Sequence, residues 1–394
     1  MRIGISTSVI QRGKSGVGQH VLALTRALVA SETRHEFVLF VLENDLPLFT
    51  FAREAMQIVP VAERHRPAVR DIVWHQTQLP ALARAHRLDV LHVPSYRRML
   101  WPKPCALVAT IHDLAPFRVP KKYDLARMFY GRVVVRQLAR RQDHIVAVSR
   151  DTAQDIAKYF KVAADRISVV HNGLAHERFS PVGAEQDRAM LAQRHGLRPP
   201  FFLYVARLEH PAKNHARLIA AFNHFKTTTP SPWQLVLCGS DWHGAGVIHD
   251  LVRRSPFAQD IRQMGFVADA ELPAWYRAAT VFVYPSIFEG FGLPPLEAMA
   301  CGCPVLASAL GAVGEVCAGA AATADPLDVA DLTRQLARLA GDDVFRSQLR
   351  AAGLARARAF DWRRTAAATL EIYARAAAGR ASPILTSALA NATH

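Results

Sequence analysis

The chain has 394 residues, more than one ordinary hydrophobic core organises, so two domains are expected. Hydrophobic residues make up 51% and charged ones 21%, a globular composition that excludes a disordered polymer. The formal net charge of +15 implies a polyanionic partner, either phosphate esters or an anionic membrane surface. No helix-turn-helix, zinc-finger or RNA-binding signature directs that charge to nucleic acid, which is therefore not expected as a partner. Small polar residues interrupt the start of the chain at Ser6 and Thr7, and no run of about 18 apolar residues offers a spanning helix. The five cysteines lack paired metal-ligand spacing and read as reduced, buried thiols of a cytoplasmic protein.

In chain order, β-type runs alternate with amphipathic helical stretches. The first half offers strands at Arg2–Ser6, Phe37–Val41, Val90–His92, Leu107–Ile111, Ile145–Val148 and Ile167–Val170, with a helix over Val17–Ala30. The second half repeats the grammar at Phe201–Val205, Leu235–Cys238, Val281–Tyr284 and Val305–Ala307. Such alternation predicts parallel sheets flanked by helices, an α/β chain of two Rossmann-like domains with a cleft between them. Turn formers around a short helical patch place the linker near 178–199. The expected division is 1–178, 199–365, and a C-terminal helix and tail over 366–394 that packs back on the first domain.

Several loops carry chemistry. Arg12–Gly18 joins the first strand to the first helix and is neither a Walker loop nor a strict dinucleotide fingerprint. His112 ends a β-type run, where it is placed to donate to a hydroxyl, and Asp113 follows it, fit either to position a ligand or to cap the next turn. Within 121–141, Lys121, Lys122, Arg127, Arg132, Arg136, Arg140 and Arg141 mix with aromatic and branched residues. Arg132, Arg136 and Arg140 are spaced to share a helix face, a pattern suited to anionic lipid and equally to a solvated surface. Ser149 reads most simply as a helix N-cap. His171–Leu174 reads as a structural turn.

In the second half, Arg207 follows a strand and Lys213 comes six residues later at a helix opening, a pair able to neutralise a phosphate. Gly265, Phe266 and Val267 form a turn before another helix. The strand Val281–Tyr284 runs into a glycine loop and then a helix whose first turn holds Pro294 and Pro295, so its N-terminus faces any anionic or hydroxyl-rich ligand. Glu289 on the loop and Glu297 in the helix flank it, with seven residues between them.

The sequence PSIFEGFGLPPLEAMACGCP, over 285–304, resembles the Glu-x7-Glu region of glycosyltransferase family 4, retaining enzymes of the GT-B fold. The likeness extends from Ile3 to about Tyr373 and is most specific from Arg207 to Pro304. It implies a nucleotide-sugar donor and no required metal. By resemblance, Glu289 faces the sugar, while amides of Gly290, Phe291, Gly292 and Leu293 meet sugar and phosphate oxygens. Glu297 holds the ribose, and Arg207 and Lys213 hold the diphosphate. Phe266 and Val267 present backbone groups to the nucleobase, and Gly16 and Gly18 line the donor loop. His112 acts at the transition state, with Asp113 and Ser149 near the acceptor.

The closest likeness in these motifs is to bacterial mannosyltransferases of exopolysaccharide or O-antigen assembly. GDP-mannose is therefore the expected donor, with UDP-glucose or a UDP-N-acetylhexosamine as the alternative, and a glycan or polyprenyl-diphosphate-linked acceptor is expected. The corresponding location is cytoplasmic, peripheral on the inner face of the plasma membrane. A Rossmann oxidoreductase is the rival from another class, but residues 13–18 lack its glycine pattern. A silent membrane scaffold is disfavoured by the intact Glu289, Glu297, Arg207, Lys213 and His112.

Overall fold

The computed structural model describes residues 1–13, 15–118 and 129–381. The chain forms two compact units: Met1–Gly173 together with the chain from Trp362 onward, and Leu174–Asp361. The first is built on strands β1 (Arg2–Ser6), β2 (Glu36–Leu42), β3 (Gln57–Val61), β4 (Val90–Val93), β5 (Ala106–Ile111), β6 (His144–Ala147) and β7 (Ile167–Val169). All pairings are parallel, in the order β3-β2-β1-β4-β5-β6-β7. Central strands such as β5 are buried along their whole length, as a sheet covered on both faces requires. The chain reverses its direction of travel between β1 and β4, and ligands of doubly wound sheets gather outside the carboxyl ends at that point.

The second unit repeats the plan with β8 (Phe201–Val205), β9 (Gln234–Cys238), β10 (Ile261–Gly265), β11 (Val281–Tyr284), β12 (Val305–Ser308) and β13 (Ala322–Ala324), in the order β10-β9-β8-β11-β12-β13. Its reversal lies between β8 and β11, which pair in parallel. Arg207 and Glu289 follow those two strands, so the topology alone brings their loops to one sheet edge.

The boundaries differ from those the turn formers suggest. The segment expected to be a linker contains the helix Ala184–His195, which belongs to the second unit. There Arg277 binds Asp187 and donates to the Ser180 carbonyl. The terminal helix begins at Trp362, and its Ile372, Tyr373 and Ala376 join Ile3, Ile5, Leu24 and Phe37 in the first unit's core. It also supplies a hydrogen bond from Thr365 to the His171 carbonyl (2.8 Å). A Cβ on Gly173 would lie 2.3 Å from the Trp362 nitrogen, so only glycine permits this crossing. The tail beyond 381 lies outside the described residues.

Strands β3, β10 and β13 were not among the expected elements. β3 contains Pro60 and β10 contains Arg262 and Gln263; both are edge strands, where one face or one row of donors is released from the core. All five cysteines are buried and free. No helix among the described residues is long and apolar enough to cross a membrane.

Candidate functional site

The loop after β11 supports the expected cluster in the second unit. Glu289 Oε1 accepts from Lys213 Nζ at 2.5 Å, Ser286 Oγ at 2.7 Å and Tyr284 Oη at 2.8 Å. Burial alone would push the Glu289 carboxyl up. The Lys213 charge and the bonds from Lys213, Ser286 and Tyr284 outweigh it and hold the group below the usual range. Because all three donors end on one oxygen, Oε2 takes no hydrogen bond among the described residues.

Lys213 is positioned from behind. Tyr204, on β8, donates to the Lys213 carbonyl at 2.5 Å. The next residue, Asn214, is buried in a left-handed conformation, and its amide donates to the carbonyls of Pro285 (3.0 Å) and Pro326 (2.6 Å). These bonds tie the lysine loop to the glutamate loop. Ser286, Tyr284, Tyr204 and Asn214 were given no role in the sequence reading, which placed both tyrosines in strands. The only available signal was their position at the carboxyl ends of two strands.

The helix Leu293–Ala300 starts at Gly292, which holds φ +107° and ψ +55° and has no capping side chain. Pro294 and Pro295 carry no N–H, so the amides of Gly292 and Leu293 are the donors this end offers. Glu297 accepts from the Tyr276 hydroxyl at 2.8 Å. Burial, aided by the Asp269 charge and opposed by Tyr276 and Arg178, pushes its carboxyl up to about 7. The two glutamates therefore sit in opposite electrostatic settings, one held ionised and one titrating near neutrality.

Arg207 does not join this cluster. Its guanidinium pairs with Glu209 at 3.2 Å and lies 4.7 Å from the exposed Trp242 ring. Its loop rests on Gly239, where a Cβ would fall 1.9 Å from the Ala206 carbonyl oxygen; this glycine also went unremarked in the sequence. Phe266 is exposed and Val267 buried, and the adjacent Gly265 carbonyl is already taken by the Gly239 amide at 2.7 Å.

In the first unit, half-buried His112 adjoins the buried imidazoles of His20 and His92. Its ring meets that of His20 edge-on, with centroids 4.6 Å apart. His20 Nδ1 lies 2.8 Å from Asn172 Oδ1, and His92 lies between Tyr373 (2.7 Å) and Thr110 (2.8 Å). The Pro94 carbonyl beside the His112 ring works against the lowering of its pKa, while Nε2 is buried with no partner. The unpartnered Nε2 is the atom His112 has free for a hydroxyl.

Burial lowers His20 to about 4 and His92 to about 3, and holds His112 well below its ordinary value.

Other expected contributors are committed elsewhere. Gly18 gives its amide to Ser15 Oγ (3.0 Å) as part of a helix cap, and a Cβ there would lie 2.4 Å from the Ile10 carbonyl oxygen. It is a packing glycine rather than a phosphate donor. Gly16 opens the same helix with nothing within 4 Å of a Cβ. Ser149 is buried and caps its helix through Thr152 N. Asp113 does cap, accepting from Ala115 N at 2.9 Å, and it also lines a cavity.

Of the basic segment, Lys121, Lys122, Tyr123 and Arg127 lie outside the described residues, as does Lys14 of the first loop. A π-helical turn over Tyr130–Val134 breaks the register that would align Arg132, Arg136 and Arg140. Arg140 is spent on the Phe160 carbonyl (3.0 Å), and Arg141 lies over Trp101 (4.5 Å). Exposed Arg132 is accompanied by exposed Phe129, Val133 and Val134. Among the described residues, no group of three or more His, Cys, Asp or Glu is placed to hold a metal ion.

Comparison with known proteins gives two family matches: "Glycosyltransferase Family 4" over residues 14–178 and "Glycosyl transferases group 1" over residues 186–356. The chain is 28% identical to an O-antigen chain mannosyltransferase B of Escherichia coli, across 95% of this chain and 99% of the relative. It is 32% identical to a D-inositol 3-phosphate glycosyltransferase of Xylanimonas cellulosilytica, across 85% and 78% respectively. In fold it resembles a sucrose-phosphate synthase of Thermosynechococcus elongatus, with a TM-score of 0.76 at 20% identity over 96% of this chain and 100% of that one.

The histidine cluster makes a direct prediction. Below about pH 6.5 the unfolded chain protonates these imidazoles and the folded unit does not, so acid removes stability, by about 1.4 kcal/mol per pH unit for each histidine. Melting temperature should fall between pH 6.5 and 5, and His20→Gln should make that fall shallower. An identical pH slope in the variant would contradict the assignment.

Proposed function

The chain belongs to glycosyltransferase family 4, and on that premise we propose a retaining transfer of mannose from GDP-mannose to a glycan or polyprenyl-diphosphate-linked acceptor in exopolysaccharide or O-antigen synthesis. The observation that carries this reading is the Lys213–Glu289 pair, held by Tyr284 and Ser286 beside an uncapped helix N-terminus. Similarity to an O-antigen chain mannosyltransferase over nearly the full length supports the sugar and the polymer. UDP-glucose and UDP-N-acetylhexosamines are the competing donors.

In this reading the sugar hydroxyls donate to Glu289 Oε2, and the diphosphate draws on Lys213 and on the amides of Gly292 and Leu293. Lys213 has three N–H donors, so it serves Glu289 and a phosphate oxygen together. Arg207 turns from Glu209 to the diphosphate. As the glycosidic C–O bond breaks, the acceptor hydroxyl bonds to the anomeric carbon on the same face and its proton passes to the departing phosphate oxygen. The cations stabilise the charge developing there. A glutamate with a lowered pKa and three donors on one oxygen is a weak base and a poor nucleophile, so Glu289 is assigned a positioning and electrostatic role. His112 meets a hydroxyl at Nε2.

Glu289→Gln and Lys213→Ala should each lower transfer by about a hundredfold or more, the scale of losing a transition-state electrostatic contact, with far-ultraviolet circular dichroism unchanged. Near-normal transfer by both would sink the site. Release of nucleoside diphosphate from a panel of nucleotide sugars assigns the donor, and turnover of UDP-sugars without GDP-mannose would displace the mannosyl reading.

Glu297 is assigned to the ribose diol, which an ionised carboxylate accepts best. Donor affinity should rise from pH 6 to pH 8 as Glu297 passes through about 7, because a nucleotide-sugar diphosphate does not titrate in that range. Glu297→Gln should abolish the rise; a rise that persists in it would remove Glu297 from the ribose.

The exposed Phe129, Val133 and Val134 beside Arg132 support peripheral attachment to anionic lipid at the inner face of the membrane. Sedimentation with phosphatidylglycerol vesicles should weaken on Arg132→Glu and Val133→Asp together, whereas unchanged partition rejects that surface.

A further inference from the structure

One aromatic residue of the second unit, Trp242, stands in water on a backbone that is fixed on both sides. It is 57% exposed. Beyond the carboxyl ends of β8 and β9 the two chains go on pairing. Leu208 N donates to the Ser240 carbonyl (3.0 Å), Trp242 N to the Leu208 carbonyl (3.2 Å) and His210 N to the His243 carbonyl (3.0 Å). On the other side His249 bridges the turn to β10, with Nε2 3.0 Å from Asp241 Oδ1 and Nδ1 2.5 Å from Gln263 Oε1. An indole left largely in water forgoes the burial for which tryptophan is normally used. Its place is therefore set by the backbone, and its use must lie at its surface.

What the ring touches is Arg207. The guanidinium carbon lies 4.7 Å from the ring centroid, within cation–π range. Arg207 is 49% exposed, and its Nη2 donates to Glu209 Oε2 at 3.2 Å. The other N–H groups of the guanidinium make no hydrogen bond among the described residues. A half-exposed arginine without a seat samples many rotamers, and arresting it on a ligand costs that freedom. Here the pairing of Leu208 with the Trp242 turn brings the ring to the arginine before any ligand arrives. An aromatic face takes up the flat side of a guanidinium and none of its N–H groups, so the fork can exchange one acceptor for another without leaving the ring. Lys213 shows the contrast: it is 15% exposed and already held by Glu289, so it needs no such seat.

We infer that Trp242 is a positioning residue for Arg207, a fixed post on which the guanidinium exchanges Glu209 for the diphosphate of the donor. The identity of that diphosphate rests on the glycosyl-transfer reading. The post itself rests on the backbone pairing of the two loops and on the stacked geometry.

The test uses the full chain, with inorganic pyrophosphate as the probe and tryptophan emission as the readout. Pyrophosphate should change the emission of the unaltered chain. That change should vanish in Trp242→Phe, which removes the indole, and in Arg207→Ala, which removes the cation. By calorimetry Trp242→Phe, which keeps an aromatic face, should bind pyrophosphate within about twofold of the unaltered chain, and Trp242→Leu about fivefold more weakly, the scale of a cation–π contact. In the Arg207→Ala background Trp242→Leu should cost nothing further. In transfer assays Trp242→Leu should lower kcat more than it raises the donor KM, because the arginine acts chiefly on charge that develops as the donor breaks, and Trp242→Phe should restore most of the loss.

An emission unmoved by saturating pyrophosphate, a response that persists in Trp242→Phe, or Trp242→Leu binding as tightly as the unaltered chain overturns the proposal. So does a loss from Trp242→Leu that adds in full to that of Arg207→Ala, since the ring would then act by itself. Nucleotide-sugar hydrolysis by the unaltered chain tests the transfer reading separately. Without hydrolysis, a pyrophosphate response that needs both Arg207 and Trp242 would keep the post and remove its part in catalysis.

Discussion

An ion pair with its side chains mostly withdrawn from water organises the second unit, and its cost explains much of what surrounds it. Lys213 and Glu289 are 15% and 17% exposed, so each has lost most of its hydration. Attraction alone seldom offsets that loss unless further hydrogen bonds complete the site. Here Tyr284 and Ser286 complete it on the carboxylate side. Tyr204 and Asn214 hold the lysine backbone against the loops at Pro285 and Pro326. A pair so heavily supported is ill suited to act as a mere stabiliser, since apolar residues of equal volume would do as well. Its value lies in presenting a cation and an anion at fixed positions where a ligand can share both.

The backbone makes the same approach possible at several points. β8 and β11 are neighbours in the sheet although Lys213 and Glu289 are 76 residues apart, so the loops converge because the strands do. Gly239 lets β9 pass against Ala206, which fixes where Arg207 starts, and Gly292 turns the chain into the helix with its amides outward. Arg207, paired with Glu209 and lying over Trp242, stands apart from the Lys213–Glu289 pair.

The sequence displayed the site better than it displayed the scaffold. Glu289, Glu297 and the glycine loop lie in one short, distinctive pattern, and Lys213 in a second, 76 residues before Glu289. Tyr284 and Tyr276 were invisible as partners of those glutamates because a buried tyrosine in an apolar run looks like core, and its hydroxyl finds a partner only in three dimensions. The edge strands β3 and β10 were missed for a related reason: with one side released from burial, Pro60, Arg262 and Gln263 erase the apolar run. The return of the terminal helix to the first unit was expected, and it is anchored there by Ile372 and Tyr373 packing near Ile3 and Ile5. What local pattern did not show is that the helix over 184–195, taken as linker, belongs to the second unit.

The two units meet a shared constraint with opposite electrostatics. Each places its polar groups outside the carboxyl ends of a parallel sheet, at the reversal of strand order. The second unit keeps a charged pair there and surrounds it with donors. Among the imidazoles of the first unit, charge is instead excluded: burial keeps His20, His92 and His112 neutral, each occupied by an amide, hydroxyl or carbonyl. A neutral ring carries no charge to set against a phosphate, and so suits a hydroxyl.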